Sequence, residues 1–441
     1  MFSRNCFKIK KQVCVKQHLR TFKDEGWVGC YDVVIIGGGI VGMATAKKLL
    51  EKNQNVTCAV VEKENKLACH QSGHNSGVIH AGIYYKPGSL KAKLCTEGMK
   101  QAYDYFNAKN ITYKKVGKLI VATCPEEIPL LNDLYMRGTR NGVPGLKMVE
   151  GKKIKEIEPA CTGLRAIHSP HTGIVDWGVV TKHYGDDFKS KGGDIFLNFN
   201  VCDFQLESES KEIADINKYP IRIVSSDKKS INAGFVLSCA GLYSDKVAVM
   251  SGGNKDPSVV PIRGEYLLLS KEKQRLIKGN IYPVPNPKFP FLGVHFTPRL
   301  DGSIWLGPNA ILAFKREGYT YSDFSLEDLA SLLNNKGFQS LALKNLKFGF
   351  NEFMKSLFID LQLKELQKFV PSISRNDLRR GPSGVRAQVL SPEGDLVDDF
   401  IFENSGPRIL HCRNAPSPAA TSSLSIGTVL SDKILAQIDC L

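Results

Sequence analysis

The chain has 441 residues, 42% of them hydrophobic and 23% charged, and carries a formal net charge of +15. That length allows two or three domains around a large core, and that balance excludes a disordered or low-complexity polypeptide. A membrane span is excluded as well, because the longest apolar stretch, 33–46, is interrupted by four glycines.

Residues 1–23 contain Arg4, Lys8, Lys10, Lys11, Lys16, Arg20 and Lys23 and no acid. Apolar residues interleave with these bases without forming a continuous core, which predicts a mitochondrial transit peptide over residues 1–28 rather than a secretory signal; the alternative is a basic tail. The remaining charge is about +8 and shows no clustering of aromatics among cations, so a nucleic-acid partner is not expected. Twelve cysteines are scattered singly with no C-x-x-C pair and no histidine spacing suited to zinc, which predicts reduced thiols, no disulfide framework and no metal.

The run Asp32–Ile36 predicts a strand, Gly37-Gly38-Gly39-Ile40-Val41-Gly42 a turn, and Met43–Leu50 a helix. Gly37 permits the tight turn, Gly39 lets the backbone approach a pyrophosphate, and Gly42 brings helix close to strand. The amides opening the helix, at Ile40 and Val41, face the phosphates. A second apolar strand, Val56–Val61, ends at Glu62, whose carboxylate is placed to accept the hydroxyls of an adenosine ribose. Only one such fingerprint is present, which favours FAD over a flavin combined with a nicotinamide.

The polar loop Ser72–Gly82 reads as functional rather than structural. Helix at Leu90–Asn107, strand at Gly117–Ala122 and a helical region to about Pro159 follow, then helix at Trp177–Lys191. Strands at Ile195–Phe204, Ile221–Val224 and Phe235–Ser238 return to the dinucleotide sheet and lead to Ala240 and Gly241. Strands at Tyr266–Leu269, Phe291–Thr297 and Ile304–Leu306, the last two joined across Asp301-Gly302, predict an antiparallel sheet in a second domain. Residues 325–370 are helical in pattern, with Phe350, Phe353, Met354, Leu357, Phe358 and Leu361 in one stripe and lysines beside it. This predicts a core-packing helix; attachment to an anionic membrane surface is the alternative. The loop Asn414–Ser422 leads into a final helix.

The fold expected is α/β: a Rossmann-type FAD-binding domain with a second, antiparallel-sheet substrate domain. The FAD-binding domain takes 29–110, 171–250 and 379–441, and the substrate domain 111–170 and 251–378. Fold alone would also allow a basic binding protein on a nucleotide scaffold.

Taken together, the fingerprint with Glu62, the run His74–Pro87, Pro170–Asp176, Phe289–Pro298 and Arg413–Ser422 resemble the D-amino-acid-oxidase-like FAD-dependent oxidoreductases, in particular their branch that acts on L-2-hydroxyglutarate. The likeness runs from about residue 30 to the C-terminus. It implies a mitochondrial, matrix-side enzyme that oxidises this substrate to 2-oxoglutarate by hydride transfer to flavin N5. Electrons would pass to a quinone-type or flavoprotein acceptor, with peripheral inner-membrane contact. It also implies FAD contacts from Lys63, Ser72, His74, Asn75, Ser76, Gly77, Val201, Ala240, Gly241 and the run Ser417, Pro418, Ala419, Ala420, Thr421. A related oxidase of another 2-hydroxy acid or amino acid, using oxygen, is the competing activity.

The chemistry needs a base for the hydroxyl proton and cations for two carboxylates. Imidazole suits the first, and His80 and His295 are the candidates; a structural histidine is the alternative for each. Guanidinium suits the second by donating two parallel hydrogen bonds. Arg386, next to Gly384 in a loop, is the better candidate, and Arg263 could do the same from the other domain; a structural ion pair is the alternative for each.

Overall fold

In the computed structural model, which describes residues 26–206, 218–285 and 293–440, the first apolar run extends to strand β1, Trp27–Ile36, followed by helix α1, Ile40–Lys52, and β2, Cys58–Val61. The chain then forms β3 (Val78–Ile79), α2 (Leu90–Lys109), β4 (Tyr113–Lys114), β5 (Lys118–Ala122), α3 (Glu127–Arg140), β6 (Lys147–Glu150), α4 (Lys152–Ile157), β7 (Arg165–Ser169) and β8 (Gly173–Val175). Helix α5 (Trp177–Ser190) starts on Asp176, whose carboxylate accepts from the Gly178 and Val179 amides at 2.8 and 3.1 Å. There follow β9 (Asp194–Phe196), β10 (Val201–Leu206), β11 (Ile221–Ser225), β12 (Ser230–Ser238), α6 (Ser244–Met250), β13 (Ser258–Leu269), β14 (Asn280–Pro283), β15 (His295–Pro298), β16 (Ile304–Gly307) and β17 (Ile311–Leu312). Four short helices, α7 (Leu326–Leu333), α8 (Lys336–Lys344), α9 (Leu346–Leu357) and α10 (Ile359–Gln367), precede β18 (Leu378–Leu390), β19 (Ile401–Asn404), β20 (Ile409–Asn414) and α11 (Ser423–Ile438).

Two large sheets organise these elements. The first runs β10-β11-β12-β1-β2-β9, with β20 beside β12 and β19 beside β20. β1 is parallel to both β2 and β12. The central strands are buried on both faces because α1, α5 and α11 cover one side, which is why β1 and β2 read as continuous apolar runs. The second sheet runs β17-β13-β16-β15-β14-β5-β7-β6, with β18 on the free side of β13. A third, three-stranded sheet orders β3-β8-β4.

Several expectations are corrected in detail. The strand expected over Ile195–Phe204 is divided into β9 and β10, because Asn198 takes a left-handed conformation (φ 54°) between them. β1 begins at Trp27, paired with Ser230, so the transit segment expected to end at 28 overlaps the first strand; residues 1–25 lie outside the described residues. β18 pairs with β13 from Leu378 to Leu390, so the second sheet continues past the boundary expected at 378. Phe291 and Leu292 also lie outside the described residues, and the strand they were expected to open begins at His295.

The stripe expected to pack into the core does not. It is broken at Phe358, where the backbone leaves the helical region between α9 and α10, and Phe350, Phe353, Leu357, Phe358 and Leu361 are all exposed. The buried residues of α9 are instead Glu352, which accepts from the Ala310 amide at 3.1 Å, and Ser356, which bonds Tyr321 and Glu265.

Candidate active site

The glycine turn closes tightly. Gly37 has φ 109° and donates to Val61 O at 2.8 Å; a Cβ at Gly42 would fall on the Gly37 carbonyl oxygen. The first intrahelical bond of α1 runs from Met43 N–H to Gly39 O, 2.9 Å, so the amides of Ile40, Val41 and Gly42 precede it and have no intrahelical acceptor. Ile40 N–H is taken by Ser72 Oγ at 2.8 Å, which holds the 72–77 loop over the helix start. Glu62, at the end of β2, accepts from Gly38 N–H at 2.6 Å and Glu64 N–H at 2.9 Å.

The other residues expected at the cofactor fall around the same edge. Asn75 Oδ1 accepts from Gly77 N–H at 2.8 Å, and its amide group donates to Ser72 O at 2.8 Å. The His74 ring lies 4.4 Å from that of Tyr319, with Nδ1 3.3 Å from Ser383 O. Ser76 lies against the Tyr282 hydroxyl. Val201 opens β10 just after Phe199, whose N–H bonds Glu62 O at 2.8 Å. Ala240 and Gly241 follow Cys239, which donates to Ile36 O at 2.7 Å beside the glycine turn. In the run Ser417–Thr421, Thr421 Oγ1 accepts from His80 N–H at 3.0 Å, tying the C-terminal loop to the histidine loop. Lys63 turns away: its ammonium pairs with Glu317 at 2.6 Å and Glu64 at 3.1 Å.

This edge fits FAD on its geometry. A Cβ at Gly39 would meet only Ser72 Oγ, at 3.3 Å, so the backbone is open where a pyrophosphate would lie; the Val41 and Gly42 amides and the Glu62 carboxylate flank that opening, whereas the Ile40 amide, expected to face the phosphates, is taken by Ser72.

The catalytic candidates depend on the second sheet. Alternation along β5, β14 and β15 sends Leu119, Val121, Ile281 and Phe296 into one core, and Lys118, Ile120, Tyr282 and His295 to the opposite face. His295 stacks on Tyr282 at 3.9 Å, and its Nδ1 lies 3.2 Å from Gly293 O. Lys118 is 2% exposed and holds its ammonium 3.8 Å from the Tyr282 ring centre and 5.3 Å from that of Tyr84. His80 enters from the 72–82 loop with Nδ1 buried and without a hydrogen-bond partner. Burial pulls His295 down to about 3, with Lys118 and Arg386 adding to the effect and Gly293 O opposing it. His80 is also far below the ordinary imidazole range, through burial first and then Lys118 and His295. Both imidazoles are therefore neutral at physiological pH, with a lone pair open to a proton, and the burial that keeps them neutral makes their protonated forms costly.

The two arginines part company. Ile262 faces Arg386 across the β13–β18 ladder and Arg263 faces Val385, so the arginines project from opposite sides of the sheet. Solvent-exposed Arg386 shares the His295 environment, since it adds to the depression of His295 and opposes the rise that burial imposes on Tyr282. Arg263 is 1% exposed, pairs with Glu265 at 3.1 Å and donates to Thr320 O at 2.5 Å, a structural ion pair away from the histidines. Lys118 was missed by sequence reasoning. Its signal is a lysine in phase with Ile120 and Ala122 at the head of a buried strand, where a charge needs a reason.

The wider relationships agree with this geometry. The sequence profile of the FAD dependent oxidoreductase family matches residues 32–433. The mitochondrial L-2-hydroxyglutarate dehydrogenase of Nematostella vectensis is 55% identical over 410 residues, 91% of this chain and 90% of that protein. The Homo sapiens protein of the same name is 53% identical over 92% of this chain and 88% of its own. Among solved structures, L-alpha-glycerophosphate oxidase from Mycoplasma pneumoniae with FAD bound matches with a TM-score of 0.72 at 22% identity, covering 93% of this chain and 95% of the other, a likeness of fold. The chain belongs to the FAD dependent oxidoreductases of D-amino-acid-oxidase type, in the group formed with the L-2-hydroxyglutarate dehydrogenases.

Proposed function

We propose that the protein oxidises L-2-hydroxyglutarate to 2-oxoglutarate and passes the electrons to a quinone-type acceptor. The observation that carries this reading is the face of the second sheet. It presents a neutral imidazole, His295, within the influence of two basic groups, Lys118 and Arg386, with a second neutral imidazole, His80, also under the influence of Lys118. A dianionic 2-hydroxy acid needs that set. Arg386 offers a fork for a carboxylate, and the stacking of His295 on Tyr282 fixes the imidazole plane. His295 accepts the hydroxyl proton as the C2–H bond breaks and the C2–O bond becomes a carbonyl. When bound, FAD supplies the two-electron acceptor at N5 for the C2 hydride. His80, held by Thr421, is the alternative proton acceptor.

Other parts of the chain support the reading of the acceptor and the location. The exposed apolar face of α9, flanked by Lys347 and Lys355, supports peripheral contact with the anionic inner membrane, where quinones reside. The acid-free basic residues 1–23 support import into the matrix.

Anaerobic mixing of the yellow holoenzyme with each enantiomer tests the chemistry. Rapid flavin bleaching by the L-enantiomer alone is expected; equal reduction by the D-enantiomer or by an amino acid overturns the substrate assignment. Reoxidation of the reduced enzyme faster by a short-chain quinone than by air supports the acceptor. Stoichiometric hydrogen peroxide with no quinone response establishes an oxidase instead. Chain lacking residues 1–23 is expected to stay outside mitochondria, and its import overturns the transit assignment.

A further inference from the structure

The charge on Lys118 is unaccounted for by the fold. It is 2% exposed, and the groups facing it are the rings of Tyr84 and Tyr282, the Cys95 thiol on α2, and His80 and His295. Lys91, buried and paired with Asp398 at 2.6 Å, also lowers His80, and solvent-exposed Arg386 lowers His295. Among the described residues no carboxylate pairs with the Lys118 ammonium, whereas buried Arg263, Arg316 and Arg413 pair with Glu265, Asp245 and Glu403. A buried ammonium without a counter-ion is costly, and ring faces offset only part of that cost.

We propose that Lys118 is the anchor for the substrate carboxylate next to the reacting carbon, leaving Arg386 to hold the distal one. This rests on the dicarboxylate reading above and divides the labour within it. Lys118 influences both His80 and His295, so an anion beside it sits against the proton acceptors. Arg386 is solvent-exposed and adds to the lowering of His295, whereas Lys118 is buried against the rings of Tyr84 and Tyr282. A carbon chain running from Lys118 toward Arg386 carries its 2-hydroxyl past His295. The consequence is thermodynamic. Burial brings the free lysine down to about 7, so above that pH much of it is neutral, and an arriving carboxylate draws a proton onto Nζ.

The test is calorimetric titration of holoenzyme with 2-oxoglutarate, which cannot reduce the flavin, at about pH 8 in buffers of different ionisation enthalpy, one unit above the lysine's value. Net uptake approaching one proton is expected for the wild type. Lys118→Met is expected to lose that uptake and about tenfold to a hundredfold in affinity, for a 2-oxo monocarboxylate as well as for the dicarboxylate. Lys118→Arg, which cannot titrate, should bind without uptake. Arg386→Met should keep the uptake and lose only the advantage of the dicarboxylate. Unchanged affinity and uptake in Lys118→Met overturns the proposal alone, as does a wild type that binds 2-oxoglutarate with no uptake, should the methionine variant fail to fold. Wild-type holoenzyme that neither binds 2-oxoglutarate nor is reduced by L-2-hydroxyglutarate overturns the substrate reading as well.

Discussion

Gly39 and Gly42 look alike in the fingerprint, yet the surroundings separate them. A side chain at Gly42 collides with the backbone of Gly37, so Gly42→Val is expected to destabilise the apoprotein; one at Gly39 meets only the movable Ser72 hydroxyl, so Gly39→Val should fold and purify without FAD. Thermal unfolding of the apoproteins beside flavin absorbance of the purified variants checks both; a yellow Gly39→Val protein contradicts the cradle. For His295, the glutamine variant should bind FAD normally and lose about 10² to 10⁴ in the rate of anaerobic flavin reduction. If His80→Gln alone abolishes reduction while His295→Gln reduces at the wild-type rate, the proton goes to His80. The same two rings set an acid dependence of stability. Both folded values lie below the unfolded one, so the unfolded chain binds more protons below about pH 6.5, and for His295 it does so down to about 3. Their contribution is complete above about pH 6.5 and is lost as pH falls toward 3. The apoprotein melting temperature should fall across that window, and His295→Gln should flatten part of the slope.

At the level of elements, periodicity was a sound guide to which segments become helices and a poor one to which face is buried. In 325–370 the apolar stripe is real, but α9 sits on the rim of the second sheet, where Glu352 and Ser356 find buried partners and Phe350, at 64% exposure, finds none in the described fold. Replacing Phe350 and Phe353 together by Asp should release the protein from vesicles containing cardiolipin and leave its melting temperature and its reduction by substrate unchanged. Undiminished vesicle binding removes the membrane assignment. Glu352→Ala, lying between those two phenylalanines on the same helix, should behave oppositely and lower stability by about 1–3 kcal/mol, since it strips the acceptor from a buried amide. The strand His295–Pro298 is the converse case: alternation in the sequence did separate His295 from Val294 and Phe296, because a sheet strand with one buried face leaves no freedom of phase.

For the whole molecule, what matters is how the two sheets meet. Arg299, on the turn after β15, donates to Asn75 O at 3.1 Å and stacks on Trp305 at 4.3 Å, so the hairpin of the second sheet grips the loop over α1. Arg299→Ala should leave each sheet intact but weaken FAD retention, read as a smaller rise in melting temperature on adding FAD than the wild type shows. The glycine turn, Glu62 and the two parallel strands around them were determined by the sequence itself, because a dinucleotide site is built from backbone within about 30 consecutive residues and its glycines have local steric reasons. His80 and His295 were also legible as candidates, being imidazoles in segments whose chemistry is local. Which arginine joins them was only half legible: Arg386 was preferred for a loop beside Gly384 that is in fact strand β18, and the β13–β18 register puts it on the histidine face and Arg263 in an ion pair behind it. Lys118 stood out in sequence only as a lysine in an apolar strand, since its meaning lies in His80 and Tyr84, Tyr282, and His295, drawn from three separate stretches of chain. Local geometry is written in neighbouring residues; the missing counter-ion of a buried charge exists only once distant strands have been laid side by side.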